Sequence, residues 1–307
     1  MLKLTIDQPS ELIKVAHALS SEIRINILRL LNHHNLNINE IAEMLDIPVS
    51  TAAANIKVLE NSGLILTELQ PASRGAMKVC SRNFDDIHMI LNTLVGFNQE
   101  YKLYEIEMPI GQYIDCEVVP TCGLASPTGL IVALDQPSEF FHPKRATAQI
   151  LWFRQGYVEY RFPLGLPNNA SVQAIQFSME LCSEAPSYDN HWPSDITLWV
   201  NGVEIGTWTS PGDFGDRRGK LNPDWWEVNN TQYGLLKTWR IDDTKSYLDN
   251  MTLSGVTLSQ LKLQEKPFID LKIGIKPDAV HKGGLNLFGK EFGDYPQDIS
   301  MIIQYTT

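Results

Sequence analysis

The stretch Ser50-Thr51-Ala52-Ala53-Ala54-Asn55-Ile56-Lys57-Val58-Leu59-Glu60-Asn61-Ser62-Gly63-Leu64-Ile65 carries two patterns at once. On a helix starting near Pro48, Ala52, Ile56 and Leu59 fall at i, i+4 and i+7, the spacing of a buried stripe. Gly63 follows as a stop signal. At about 100° per residue, Ser50, Ala54 and Lys57 then point the opposite way, flanked by Thr51 and Ala53. The helix therefore has one face for a core and another free to meet something else.

Upstream, Ile23, Ile27, Leu30 and Leu31 form one helical stripe, and Ile38, Ile41, Ala42 and Leu45 form a shorter one. Downstream come two β-like runs, Leu64–Leu69 and Ala76–Ser81, joined by the turn-rich residues 70–75. Ile87, Ile90, Leu91 and Leu94 at helical spacing predict a last helix over Asn83–Phe97. Helix, helix, short helix, helix, β-ribbon, helix is the order of a winged helix-turn-helix. The free face at 50–57 suits a major groove, with Ser50 and Thr51 hydroxyls on bases or phosphates and Ala54 methyls against thymine. From Leu69 to Phe84 stand the cations Arg74, Lys78 and Arg82 with no acid. Arg74 is placed at the tip of the ribbon, where a wing meets the DNA backbone or minor groove.

These residues, with Ala18-Leu19-Ser20-Ser21-Glu22-Ile23-Arg24-Ile25-Asn26-Ile27-Leu28 and Ile41-Ala42-Glu43-Met44-Leu45 before them, make the first 95 or so residues resemble the ArsR-type regulators. The resemblance implies a DNA-binding transcription regulator, most often a repressor. It also implies a homodimer paired through the first and last helices, for which Leu12, Val15, Leu91 and Leu94 are suitable; each suits the domain's own core equally. Val49, Ala53 and Ala54 stand where the family usually carries hydrogen-bonding side chains, which leaves readout to shape or apolar contact. Metal sensing is not supported: the third helix has no cysteine, and His33, His34 and His88 lack partners at ligand spacing. A degenerate winged helix that binds protein is the other reading of the same face.

After about Leu103 the texture becomes alternating. Runs at 113–119, 129–134, 147–153, 157–162, 172–182, 196–200, 204–209, 268–275 and 299–305 predict an antiparallel sandwich. Asn201-Gly202 marks a two-residue hairpin, since both central positions of that turn need positive φ. The segment Ile196–Trp208 resembles the galactose-binding-like jelly-roll modules that accompany sugar-acting enzymes. The fold class is thus multidomain α and β, a mainly helical winged helix-turn-helix in residues 1–100 and an all-β sandwich or jelly roll in residues 104–307. A short linker falls near Tyr101–Met108.

Two loops of the β region stand out. Ser210–Gln232 has neither period and holds Arg217, Arg218, Trp225 and Trp226; His281–Tyr295 is glycine-rich and holds His281 and Asn286. Aromatic faces with Arg, His and Asn beside them suit a small polar ligand, such as a saccharide. The alternative is that these aromatics cover the end of the sandwich or a subunit contact. Loop acids such as Asp213, Asp216, Asp224, Glu227, Glu291 and Asp294 make glycoside hydrolysis conceivable, yet no nucleophile–base motif or phosphate loop accompanies them. An enzyme is not expected, and no catalytic residue, metal or cofactor is assigned.

Bulk composition limits the partners. The net charge is −11, with eight Lys/Arg against eleven Asp/Glu in residues 1–100, so attraction to phosphate must come from a local patch. No apolar run approaches the ~18 residues of a membrane span. The N-terminus carries Asp7 and Glu11 and no apolar h-region, which predicts a cytoplasmic protein. Cys80, Cys116, Cys122 and Cys182 form no C-x-x-C pair and read as reduced structural residues, a metal or redox site being the alternative.

Overall fold

The computed structural model describes residues 2–6, 8–32, 34–71, 76–90 and 101–307. The chain divides into two compact units, Met1–Gln99 and Glu100–Thr307.

The first unit runs β1 (Leu2–Thr5), α1 (Pro9–Leu19), α2 (Glu22–Leu30), β2 (Leu36–Asn37), α3 (Ile38–Met44), α4 (Val49–Asn61), β3 (Ile65–Pro71), β4 (Ala76–Arg82) and β5 (Ile87–Ile90). Two of the helix ends are closed by side chains. Asn37 caps α3 by accepting from the backbone N–H of Asn39 and Glu40, while Glu40 Oε2 accepts from Asn37 N at 2.7 Å, a reciprocal capping box. The last carbonyls of α1, His17 O and Ala18 O, accept from the Arg24 guanidinium on α2, each at 2.7 Å. Strand β4 lies between β2 and β3, forming the hairpin expected of a wing. Val15, Ala18, Ile27, Ile41, Ala52, Ile56, Leu59 and Cys80 build the core.

One expectation changes here, and one open alternative is decided. The helix read over Asn83–Phe97 is absent from its first half: Ile87–Ile90 is β5, paired in parallel with β1 in the register Leu2↔Ile87 to Thr5↔Ile90. Residues 91–97 lie outside the described ones. A segment as short as Ile87-His88-Met89-Ile90 fits either period, and its type is decided by the partner strand at the N-terminus, whose Leu4 is buried. Val15, offered for a dimer contact, is 1 % exposed within this unit and belongs to its core; Leu91 and Leu94 lie outside the described residues.

The second unit is an antiparallel β-domain. Its elements are β6 (Lys102–Met108), β7 (Asp115–Ser126), β8 (Gly129–Leu130), β9 (Ile150–Pro163), β10 (Ser171–Cys182), β11 (Ser194–Val200), β12 (Val203–Ser210), β13 (Leu235–Asp242), β14 (Ser246–Leu248), β15 (Met251–Ser254), α5 (Leu258–Leu261), β16 (Phe268–Ile275), β17 (Leu285–Phe288) and β18 (Ile299–Thr306). One face orders β12-β11-β16-β9-β7 and the other β6-β18-β10-β13-β14-β15. Strand β17 joins them by pairing with both β9 and β10. On the opposite margin, Ser254 Oγ donates to Ile205 O at 2.6 Å, drawing β15 to β12. Phe153, Tyr160, Phe162, Phe177, Trp239 and Leu271 fill the space enclosed.

The hairpin at Asn201-Gly202 forms as expected, with φ of 49° and 81°. Tyr101–Met108, read as a linker, instead contributes β6, whose residues pair with β18 from Lys102↔Tyr305 to Met108↔Ile299. The two runs at 147–153 and 157–162 merge into the single strand β9, which turns from β17 to β16 along its length. All four cysteines are free and buried, and burial pushes the Cys116 and Cys122 thiols up to about 11, away from reactivity.

Candidate functional site

On α4 the two faces separate as the periodicity requires. Ala52, Ile56 and Leu59 are buried, whereas Val49, Ser50, Ala54 and Lys57 are exposed and Thr51 and Ala53 half-buried. Asn55 steadies the helix against α2, donating to Thr51 O at 2.9 Å while its Oδ1 accepts from Arg24 at 3.3 Å. Lys78 is not a free cation: its Nζ lies 2.6 Å from Glu60 Oε2 at the end of α4. Glu60 also accepts from Thr67 Oγ1. The Lys78 hydrogen bond, followed by that of Thr67, holds the Glu60 carboxyl below its ordinary value. Arg74 lies outside the described residues. The free face thus presents Ser50, Thr51, Ala54 and Lys57, with Lys78 behind it already paired.

In the second unit a cavity of about 690 Å³ opens where three connections converge: the β7–β9 segment, the β10–β11 loop and the long β12–β13 loop. Its aromatic wall is Trp152, Trp225 and Trp226. Asp135, Glu184 and Glu227 supply carboxylates, and Asn230, Thr231, Asn286 and Thr121 supply neutral polar groups. The volume and this mix of apolar wall with a few polar groups suit a small organic ligand.

The residues singled out from the sequence divide here. Trp225, Trp226 and Asn286 line the cavity; Arg217, Arg218 and His281 do not. Arg217 forms a two-pronged bond to Asp294 at 3.0 and 2.5 Å, with its guanidinium 3.7 Å from the centre of the Tyr233 ring. Arg218 donates to Pro223 O at 2.6 Å and Trp226 O at 3.3 Å, tying the long loop to itself. His281 closes on Asp195, its N–H at 2.9 Å and its Nδ1 at 3.2 Å. Arg217 and Arg218 satisfy a buried carboxylate and loop carbonyls, and His281 is held by Asp195, so all three are engaged within the β-domain itself.

The tryptophans also differ. Trp226 is 5 % exposed and wedged edge-on against Trp152, Trp225 and Phe292, in a small core with Ile150, Cys182 and Phe288. Its Nε1 donates to Thr231 O at 2.8 Å. Trp225 keeps 37 % of its surface open, with Nε1 on Pro127 O at 2.6 Å. For Trp226 the packing alternative holds; Trp225 leaves part of its ring open beside the cavity.

Behind the wall lies a polar layer. Asn286 donates to Ser183 O at 2.6 Å and stands 3.3 Å from Thr231 Oγ1. Asp213 Oδ2 accepts from Ala185 N and Thr231 Oγ1, each at 2.9 Å, while its buried Oδ1 has no partner among the described residues. Burial raises Asp213 to about 7 against the pull of those donors. Glu180, equally buried, accepts from the backbone of Gly234, Asp294 and Tyr295, and desolvation still raises it to about 7.

Trp152, Asp135 and Glu184 escaped sequence reading. Trp152 sits inside the apolar run Ile150–Phe153 and looks like strand core. Asp135 and Glu184 fall in short polar turns that only the strand order brings to the same mouth. A left-handed backbone at Asp135 (φ 59°) and Ser187 (φ 67°), both on the lining, marks where the chain bends around it.

Among known families, the model described as bacterial regulatory protein, arsR family, matches residues 21–67, the span from α2 into β3. This supports a helix-turn-helix of DNA-binding regulators in the first unit. No curated protein is found to match the chain. Among solved structures the chain is similar to the Agl-KA catalytic domain, at 9 % identity and TM-score 0.25 over 52 % of this chain and 22 % of that one. It is similar to the CBM36-1 domain of a multidomain xylanase from the hindgut metagenome of Trinervitermes trinervoides, at 9 % and 0.25 over 66 % and 96 %. The dimeric latent PorU of Porphyromonas gingivalis gives 13 % and 0.27 over 79 % and 18 %. The chain spans about a fifth of the length of the first of these, and scores this low do not establish a shared fold.

Proposed function

We propose that this chain is a ligand-responsive DNA-binding transcription regulator. It binds double-stranded DNA as a homodimer through α4 and the β3–β4 wing, and it binds a small polar molecule, a saccharide in the first instance, in the cavity of the β-domain. The carrying observation is that the arsR-family match coincides with a helix whose free face is Ser50, Thr51, Ala54 and Lys57. Repression by promoter occupancy follows from the family resemblance. The cavity is read as a binding site because its tryptophan wall and few polar groups suit the holding of a small organic ligand. Among the described residues no helix is long and apolar enough to cross a membrane.

The test is fluorescence anisotropy with the gene's own upstream fragment across a salt series. Each cation that contacts a phosphate contributes about 0.9 to the slope of log K against log salt. Lys57→Ala is expected to weaken all sequences alike and flatten that slope. Thr51→Ala is expected to cost more on the preferred fragment than on random DNA. The second reading, a protein-binding face, is favoured by the exposure of Met44 (55 %) and Val49 (50 %) near the start of α4 and by the pairing of Lys78 with Glu60. Submicromolar protein that binds no upstream fragment at low salt, yet is captured by a protein partner through Val49, selects that reading.

A further inference from the structure

The charge of the cavity narrows what can enter it. Asp135, Glu184 and Glu227 line it, and no Lys, Arg or His does. Two of these carboxylates accept hydrogen bonds from neutral donors. Glu184 Oε1 accepts from Thr121 Oγ1 at 2.7 Å, and Asp135 Oδ1 accepts from Cys122 N at 2.8 Å. The charge of Arg154 favours ionised Glu184, and it is weaker there than burial, the Thr121 bond and the charge of Asp135. The net result holds Glu184 above the ordinary carboxylate range, burial being the main cause. A site of this kind lacks a positive charge that a ligand can bring.

The aromatic wall supplies the second half of the argument. Trp152 is half-buried and Trp225 more than a third exposed, so both indoles keep surface on the cavity side of the small core that fixes Trp226. Indole is the best ring for holding a cation over its face, and it serves sugar rings as well. Asn286, only 2 % exposed, holds the floor. An acidic or phosphorylated ligand would meet three carboxylates and no compensating cation.

Resting on the reading of this cavity as a saccharide site, we propose that it selects a ligand bearing a protonated amine, an amino sugar among saccharides, and rejects acidic or phosphorylated ones. The amine sits between the Asp135 and Glu184 carboxylates, with the ring against Trp225.

The test is calorimetric titration of the full-length protein at neutral pH with four probes: a glucosamine disaccharide, cellobiose as its neutral counterpart, a uronic acid disaccharide and spermidine. The glucosamine disaccharide is expected to bind at least about tenfold more tightly than cellobiose, a ratio equivalent to one charge-assisted hydrogen bond, and the uronic acid to bind weakest. Glu184→Gln is expected to collapse that ratio. Asp135→Asn, at a more exposed position, is the second variant should Glu184→Gln not fold, and circular dichroism checks both. Equal binding of the amino and neutral disaccharides overturns the inference and leaves the saccharide site standing. Spermidine bound in a Glu184-dependent way, with no disaccharide bound, supports selection of an amine and overturns the saccharide reading. If no probe binds at millimolar concentration, both fail.

Discussion

Trp226 gives its indole to a small core with Ile150, Phe288 and Phe292, while its neighbour Trp225 leaves 37 % of its surface beside the cavity. The two side chains are therefore expected to separate under mutation. Trp226→Ala removes a buried aromatic and should cost about 3–5 kcal/mol, the usual range for Trp or Phe truncation in a core. Trp225→Ala loses the hydrogen bond to Pro127 O and edge contacts with Trp226 and Phe292 and should cost about 1–2 kcal/mol while abolishing ligand binding. Chemical denaturation beside titration of the glucosamine disaccharide reads both effects; equal stability losses would show that Trp225 is packing as well. At this scale the sequence disclosed which residues were unusual but not what occupied them. Arg217, Arg218 and His281 belong to the same loops as Trp225 and Asn286, yet their polar groups turn back onto Asp294, Pro223 O and Asp195. Composition cannot distinguish a donor satisfied within its own loop from one left for a ligand.

Elements with a strict period or a rigid turn signal were legible from the chain alone. The stripe of α4 lies as the spacing demanded, and the Asn201-Gly202 turn has both φ values positive. Strands β13 and β17, and the β6 segment read as a linker, were missed. Short runs such as Leu285–Phe288 gain their identity from the neighbours that pair with them, which for β17 are strands more than a hundred residues upstream. The same cause turned Ile87–Ile90 from an expected helix into a strand beside Leu2–Thr5. Two glycines allow the distinction between conformation and space to be tested. A methyl at Gly202 meets nothing within 4 Å, so Gly202→Ala should cost only its left-handed backbone, about 1–2 kcal/mol, and leave the cavity intact. At Gly123 a methyl would stand 2.2 Å from the Trp152 ring, which forms one wall of the cavity. Gly123→Ala should therefore weaken ligand binding, and retention of full affinity would show that Trp152 is free to shift.

Across the whole molecule, each unit has its own core, residues 4–80 for one and 108–303 for the other, so two unfolding transitions are expected instead of one. The chain supplies separate probes for them. All seven tryptophans lie between Trp152 and Trp239, so their fluorescence reports the β-domain, whereas the long helices α1 to α4 dominate the helical circular dichroism of the first unit. The two transitions should respond to pH in different windows, and with opposite sign in each. Asp213 and Glu180 are raised on folding from 3.8 and 4.5 to about 7. Between those limits the folded β-domain binds more protons than its unfolded chain, so its stability falls as pH rises from about 4 to 7 and then levels off. Backbone N–H groups moderate the rise of Glu180, and Ala185 N–H with Thr231 Oγ1 moderates that of Asp213, so both groups contribute. Glu60 in the first unit is lowered on folding by Lys78 and Thr67. Its contribution is present at neutral pH and is lost only as pH falls below the ordinary carboxylate range. Acidification from pH 7 to 5 should therefore raise the denaturation midpoint by fluorescence, corresponding to a few kcal/mol at most, while the circular dichroism midpoint holds. Asp213→Asn removes the titrating group with little change of shape, so the fluorescence midpoint of that variant should vary less between pH 5 and 8 and exceed the wild-type value at pH 8. A fluorescence midpoint that falls on acidification would mean that Asp213 is ionised throughout, held so by Ala185 N–H and Thr231, and that the polar layer behind the cavity carries a permanent negative charge.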